Sequence, residues 1–402
     1  MLSVMPDQQL ETYRVYTRFV NRLLILGGIH SRKRESSALY RHVSMAAVLS
    51  TVIVIFSIGN FCLHNIKNLK LLTKSLGFLC SGFAVFLKVC MSRTRRTKLI
   101  EINATLDNLV EDALKEPETK SVLFSLLRSF YRPAHALTFV TMGLGIVYIF
   151  KPLATIAHQI NSNETMKRSL PCLARYPWTF GDSMMLYQLH YVLESEVCLY
   201  IVFITAAADT QFGLYSFQIS AMLRVVTYEF ENLGASDNVD YVLRRCVEKH
   251  VQLLQCRDVV QKVYGPIVLL MALTNALMMC SFIFQAVQVR IYWFTDTIGK
   301  YMLLMFYVVM KVWQTFLYAW CGQTVTSESE ILLRDCSYSR WYENGKKNFG
   351  TSILLVTAQR PITLSACYFF KISMEFFVKV SIQISRAVSL VLCVFVTNPA
   401  FR

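Results

Sequence analysis

The length of its uncharged apolar runs constrains this chain more than any other feature. Met45 to Leu63 carries no charged residue, and Gly265 to Val289 is a second such run of 25 residues. A helix rises ~1.5 Å per residue, so ~20 mainly apolar residues cross a ~30 Å hydrocarbon layer. Five other stretches suit the same purpose. They are Ser75 to Met91 with Lys88 inside it, Ala134 to Pro152, Tyr191 to Ala208, Tyr301 to Cys321 with Lys311 inside it, and Ile372 to Thr397. The last is the most polar, carrying Glu375, Lys379, Gln383 and Arg386. Buried helices of a large soluble protein seldom run uncharged for so long. The pattern predicts an all-α integral membrane protein with seven transmembrane helices.

Composition agrees. Only 17% of the residues are charged, against about 25% in a soluble domain, and the mean hydropathy is +0.41. A disordered, coiled-coil or nucleic-acid-wrapping chain would be far less apolar. The net charge of +15 suits nucleic acid or an anionic membrane surface, so its distribution decides. Outside the spans, 27 Lys and Arg lie on one side, in residues 1–44, 92–133, 209–264 and 322–371, and 9 lie on the other. The positive-inside rule then expects a cytoplasmic N-terminus, an extracellular C-terminus and membrane lipid, with no nucleic acid, as the partner. Residues 1–44 hold no separate apolar core with a small-residue cleavage site and read as a basic cytoplasmic tail. Asn163, in Asn163-Glu164-Thr165, falls in an outward loop and is the candidate glycosylation site, whereas Asn103 falls inward and should stay unmodified.

Searches for chemistry return little. The twelve cysteines show no zinc-type spacing and read as small core residues. Cys172 is the only one firmly in an outward loop and has no obvious outward partner. The histidines form no i, i+4 pair, and no phosphate-binding loop, metalloprotease or nucleophile-elbow motif occurs. No enzyme, metal or cofactor is expected. A G-protein-coupled reading fails on orientation and on motif, since Asn398-Pro399 sits at the end of the chain. Between Tyr241 and Tyr264, Leu243, Val247, Val251 and Leu254 recur at helical spacing among Arg244, Arg245, Glu248, Lys249, Arg257 and Asp258. This predicts an amphipathic helix reaching into the cytosol, as a subunit contact or on the membrane surface.

The C-terminal third resembles the signature of insect odorant receptors. The residues are Tyr318-Ala319-Trp320-Cys321-Gly322, Ser327-Glu328-Ser329 and Trp341-Tyr342, followed by Gln359-Arg360-Pro361-Ile362-Thr363-Leu364-Ser365-Ala366 and Ser373-Met374-Glu375-Phe376-Phe377. Leu170-Pro171, Tyr176-Pro177 and His250 also fit the family's pattern. The resemblance implies a ligand-gated cation channel in the cell membrane of an olfactory neuron dendrite, a hetero-tetramer with an odorant co-receptor subunit. The co-receptor has a much longer loop before the fifth span, so this chain resembles a ligand-tuning subunit. A gustatory receptor of the same superfamily is the alternative; its last-span Thr-Tyr and Gln-Phe find no match at Ser385-Arg386-Ala387. A transporter is a third reading, because intramembrane charges can mark a substrate path.

On this reading residues 1–44 are the cytoplasmic tail and 45–321 are helices 1–6 with an outward pocket. Residues 322–371 are a cytoplasmic anchor and linking helix, 372–397 the pore-lining seventh helix and 398–402 a short extracellular tail. A small volatile ligand, neutral or weakly polar, needs a closed apolar and aromatic pocket, which the resemblance places among spans 2, 3, 4 and 6. The outward halves of the spans offer Phe78, Phe83, Phe86, Thr141, Tyr148, Phe150, Tyr187, Tyr191, Phe203, Phe282, Tyr301 and Met305 as a group. In the last span Lys379, Gln383, Arg386, Leu390 and Cys393 share one face, and the resemblance places a hydrophobic gate at Leu390, Cys393 and Val394. Pairing of Lys379 or Arg386 with Glu375 is the structural alternative.

Overall fold

The computed structural model describes residues 6–29, 38–162, 169–178, 183–232, 239–290, 298–338, 354 and 356–397. In chain order they form α1 (Pro6–Leu26), α2 (Ala38–His64), α3 (Leu69–Thr94), α4 (Arg96–Ala113), α5 (Pro117–Phe124), α6 (Leu127–Asn161), α7 (Met184–Glu231), α8 (Val239–Arg290) and α9 (Ile298–Tyr338). A hairpin of β1 (Ser365–Ala366) and β2 (Phe370–Lys371) leads into α10 (Met374–Thr397). The seven apolar stretches lie on α2, α3, α6, α7, α8, α9 and α10. Among the described residues, α2, α3, α6, α7 and α8 contain windows long and apolar enough to cross a bilayer.

Helix α7 is the axis of the molecule. Every residue from Ala206 to Leu223 is buried, as a helix surrounded by other helices must be. This differs from the expected end of the fourth span at Ala208 and a 209–264 loop: α7 continues to Glu231 and α8 begins at Val239. Asp209 lies inside the bundle, where Lys88 pairs with it at 2.7 Å. Likewise Pro152 does not end the third span, because α6 runs through it to Asn161. Proline removes one intrahelical hydrogen bond without forbidding the turn beyond it.

The expected tail of residues 1–44 contains α1, docked rather than loose. Tyr13, Tyr16, Val20 and Leu23 fall on one helical face and are buried. The Tyr16 hydroxyl donates to the Thr210 carbonyl of α7 at 3.2 Å, and Gln218 Nε2 donates to the Tyr13 hydroxyl at 2.9 Å. The amphipathic stretch 241–264 is helical, but its buried stripe is rotated from the expected one. Leu243, Cys246, His250, Leu253, Cys256 and Val260 are inside, whereas Val251 is exposed. Small cysteines pack there as well as larger aliphatics, and the buried Lys249 is compensated by Glu229 at 2.7 Å.

The start of α10 is set by two close approaches. The hairpin turn places Cys367 and Tyr368 at φ of +49° and +64°, and the Phe369 amide donates to the Ala366 carbonyl at 3.0 Å. Three residues, 367–369, thus separate the paired Ala366 and Phe370, and the two positive φ values let the chain reverse within them. A Cβ at Gly265 would lie 3.1 Å from the Cys367 nitrogen. At Gly322 a Cβ would overlap the Ile372 carbonyl, so α9 and the root of α10 meet backbone to backbone there.

Candidate ligand pocket and its charged floor

Two helices present matching stripes to the bundle interior. On α3, Phe78, Ser81, Val85 and Lys88 share a face; on α9, Tyr307, Lys311, Gln314 and Tyr318 do. The stripes meet at two levels. At the outer level the hydroxyls of Ser81 and Tyr307 are 3.1 Å apart. There the Phe78 ring packs edge-on against Tyr148 of α6, with centroids 5.0 Å apart. Phe78, Ser81, Tyr148 and Tyr307 are all half-buried, and their contacts bring α3, α6 and α9 together at this level.

The deeper level is closed and charged. Lys88 Nζ donates to Asp209 Oδ1 at 2.7 Å, and both side chains are buried. The Tyr318 hydroxyl donates to the same oxygen at 2.8 Å, and Gln314 Nε2 donates to Oδ2. Asp209 thereby joins α3, α7 and α9. Beside it the half-buried Lys311 donates to Gln314 Oε1 at 3.3 Å, and its ammonium lies 5.6 Å from the centre of the Tyr307 ring. Charges inside a bilayer are costly and normally face the bundle interior in pairs. Lys88 and Lys311 stood out in the sequence only as interruptions of apolar runs. Asp209 was missed because it lay one residue beyond the expected span.

A folded loop covers the same end of the molecule. The carboxylate of the buried Glu194 on α7 accepts the Cys172 amide at 2.7 Å and the Tyr176 hydroxyl at 3.0 Å. Trp178 Nε1 donates to His190 Nε2 at 2.9 Å. The Arg175 amide donates to the Ser57 carbonyl at 2.9 Å, tying the loop to α2. Cys172 does have a neighbour, since its sulfur lies 3.8 Å from that of Cys198. The Cys198 sulfur and burial push the Cys172 thiol well above its ordinary value, which keeps it protonated. Glu194 and Glu196 lie within the expected fourth span, and the loop that receives Glu194 could not be found from periodicity.

The twelve candidate pocket residues divide. Phe78 and Tyr148 form the outer level just described. The Tyr187 hydroxyl donates to the Ser169 carbonyl at 2.9 Å and that of Tyr191 to the Ile149 carbonyl at 2.7 Å. Thr141 is buried, its hydroxyl donating within α6 to Leu137, and Phe203 packs against the main core. Phe83, Phe86 and Phe150 turn outward and are 52%, 42% and 58% exposed, since Phe83 and Phe86 lie off the Phe78–Lys88 stripe of α3. The side chains of Phe282, Tyr301 and Met305 lie outside the described ones, as do those of Leu390, Cys393 and Val394. Asn163 lies outside the described residues. On α10, Lys379 pairs with Glu375 at 2.6 Å, and Gln383 and Arg386 are exposed.

The C-terminal signature has structural work to do. Tyr318 reaches Asp209, and Gly322 admits Ile372. Glu328 takes a two-pronged pair from Arg224 of α7, with one arm at 3.0 Å, and Ser329 Oγ accepts the Ile362 amide at 2.8 Å. His250 Nε2 lies 3.2 Å from Gln359 Oε1. Trp341 and Tyr342 lie outside the described residues.

An all-helical bundle of apolar spans, with aromatic side chains above a buried ion pair, is the architecture of a multi-pass membrane protein. The family described as 7tm Odorant receptor matches residues 68–382, and the chain belongs to it. It is a receptor family, not an enzyme family. Odorant receptor 13a of Drosophila melanogaster is 20% identical over 383 residues, covering 85% of this chain and 87% of the relative. The odorant receptor coreceptor of Aedes aegypti is 26% identical over 137 residues, 33% of this chain and 27% of the coreceptor. The solved structure of the insect olfactory receptor OR5 from Machilis hrabei superposes with a TM-score of 0.75 at 14% identity, covering 94% of this chain and 98% of that one. The same receptor in complex with eugenol gives a TM-score of 0.77, covering 96% and 100%.

Proposed function

We propose that this chain is the ligand-tuning subunit of a cation channel assembled with an odorant co-receptor, opened by a small volatile ligand in the membrane of an olfactory dendrite. One observation carries the reading: in the aromatic cluster of Phe78 on α3, Tyr148 on α6 and Tyr307 on α9, Tyr307 lies on the same helix that meets the root of α10 at Gly322. Lys311 and Gly322 are about three turns apart, so a ligand that repositions α9 also displaces the root of α10. The likeness to a receptor seen with eugenol and to coreceptors supports a small ligand and a co-receptor partner. The charge distribution supports a cytoplasmic N-terminus and an outward pocket, with Asn163 available for glycosylation. In this reading α10 lines the pore with Lys379, Gln383 and Arg386, and a ring at Leu390, Cys393 and Val394 closes it by dewetting. Glu375 reduces the positive charge that Lys379 would present to cations.

Co-expression with an odorant co-receptor and screening of an odorant panel by calcium influx tests the reading. Ligand-evoked influx that needs both subunits is expected, and Leu390→Ala or Val394→Ala should raise basal current. Influx from the co-receptor alone that this chain never retunes, with both chains at the surface, would refute it. An epitope at Met1 readable on unpermeabilised cells would reverse the orientation.

A further inference from the structure

We infer that the pocket takes a small carboxylic acid as its carboxylate, held by Lys311 with the apolar tail against Phe78 and Tyr148. The inference rests on the pocket reading above and adds the chemical class of its ligand. Its basis is the charge balance of the floor. Lys88 and Lys311 bring two ammonium groups and Asp209 brings one carboxylate. That carboxylate is already committed to Lys88, Tyr318 and Gln314. Among the described residues no carboxylate lies within ion-pair distance of Lys311. Its contacts are a long hydrogen bond of 3.3 Å to the Gln314 amide oxygen, the face of the Tyr307 ring with its centre 5.6 Å away, and a longer-range attraction to Asp209.

A surplus ammonium in a low-dielectric bundle is costly until an anion joins it. Lys311 is also placed to receive one. It lies one helical turn below Tyr307, between the outer aromatic level and the closed ion pair. Unlike Lys88, which is 3% exposed, it is only half-buried. An ammonium offers three donors, and a carboxylate arriving from the pocket competes only with the long Gln314 bond and the weaker contact to the Tyr307 ring. A neutral ester or alcohol of the same tail would fill the aromatic level equally well and leave the charge uncompensated. The acid therefore gains a charge-assisted contact that its ester cannot make. Gln314, relieved of Lys311, stays attached to Asp209, so occupancy is felt at the joint between α3, α7 and α9.

The test uses the full chain co-expressed with an odorant co-receptor, with an epitope tag reporting surface delivery. Short- and medium-chain carboxylic acids are compared with the matching methyl esters and alcohols by concentration–response of the evoked current. Acids should be roughly tenfold or more potent than their esters. Lys311→Met and Lys311→Gln should bring the acid-to-ester potency ratio to about one, and Lys311→Arg should keep the acid preference. Equal potency of acid and ester in the unaltered channel overturns the inference, as does an acid preference that survives both neutral substitutions. Responses to esters and alcohols with silence to every acid overturn it and leave the receptor reading standing. Silence to the whole panel from a surface-delivered channel overturns both.

Discussion

Asp209→Asn removes one charge from the bundle interior and almost no volume. The asparagine can still accept from Tyr318 but loses the oxygen that accepts from Gln314, so the double-mutant cycle with Lys88, not the single substitution, isolates the attraction to Lys88. At 2.7 Å that attraction is about 6 kcal/mol for an effective dielectric constant of about 20. Desolvation of both ions offsets much of it in the intact protein. When one partner is lost, the other's desolvation is uncompensated, and such truncations cost about 3–5 kcal/mol. A stranded ammonium can escape by releasing its proton, which from an ordinary lysine costs about 4.6 kcal/mol at pH 7, so the two routes agree in size. Against a total stability of about 5–15 kcal/mol, Asp209→Asn should sharply reduce the surface-delivered receptor and lower its midpoint for thermal loss of the monodisperse peak in detergent. Lys88→Met should do the same, and the double variant Lys88→Met with Asp209→Asn should recover most of the loss. The assay is a double-mutant cycle on that midpoint. Additive single effects, with a coupling below about 0.5 kcal/mol, would refute the claim that these two charges hold α3 to α7.

Gly322→Ala should disrupt the seating of α10, because its methyl overlaps the Ile372 carbonyl; evoked current should fall further than surface delivery, whereas Gly143→Ala, in open space, should leave both unchanged. Glu194→Gln leaves either the Cys172 amide or the Tyr176 hydroxyl without its acceptor, at a cost of about 1–3 kcal/mol, and limited proteolysis should cut residues 169–178 faster than in the parent. His250 lies in the part of α8 that precedes its long apolar run, and burial holds its pKa below the ordinary 6.5 despite the Gln359 hydrogen bond. Its contribution is present in full above pH 6.5 and is lost as pH falls below that value towards the lowered pKa, with a slope of at most about 1.4 kcal/mol per pH unit. Thermal midpoints measured between neutral and mildly acidic pH should show that slope, and His250→Asn should flatten it.

Properties confined to a short window were readable from the residues alone. Uncharged runs such as Met45 to Leu63 announce helices that cross lipid, because no other backbone can satisfy its hydrogen bonds there. The motif from Tyr318 to Phe377 points to the family by its residues alone. The amphipathic helix beyond Tyr241 was legible too, though its buried face was off by part of a turn. What stayed hidden were relations between distant positions. Lys88 and Asp209 are 121 residues apart, and hydropathy registers each only as a blemish at or near an apolar run. Their meeting, the turning of Phe78 inward and Phe86 outward, and the approach of Cys172 to Cys198 all depend on how helices cross. Crossing follows from the shapes of facing surfaces, and no local stretch of chain carries that information by itself.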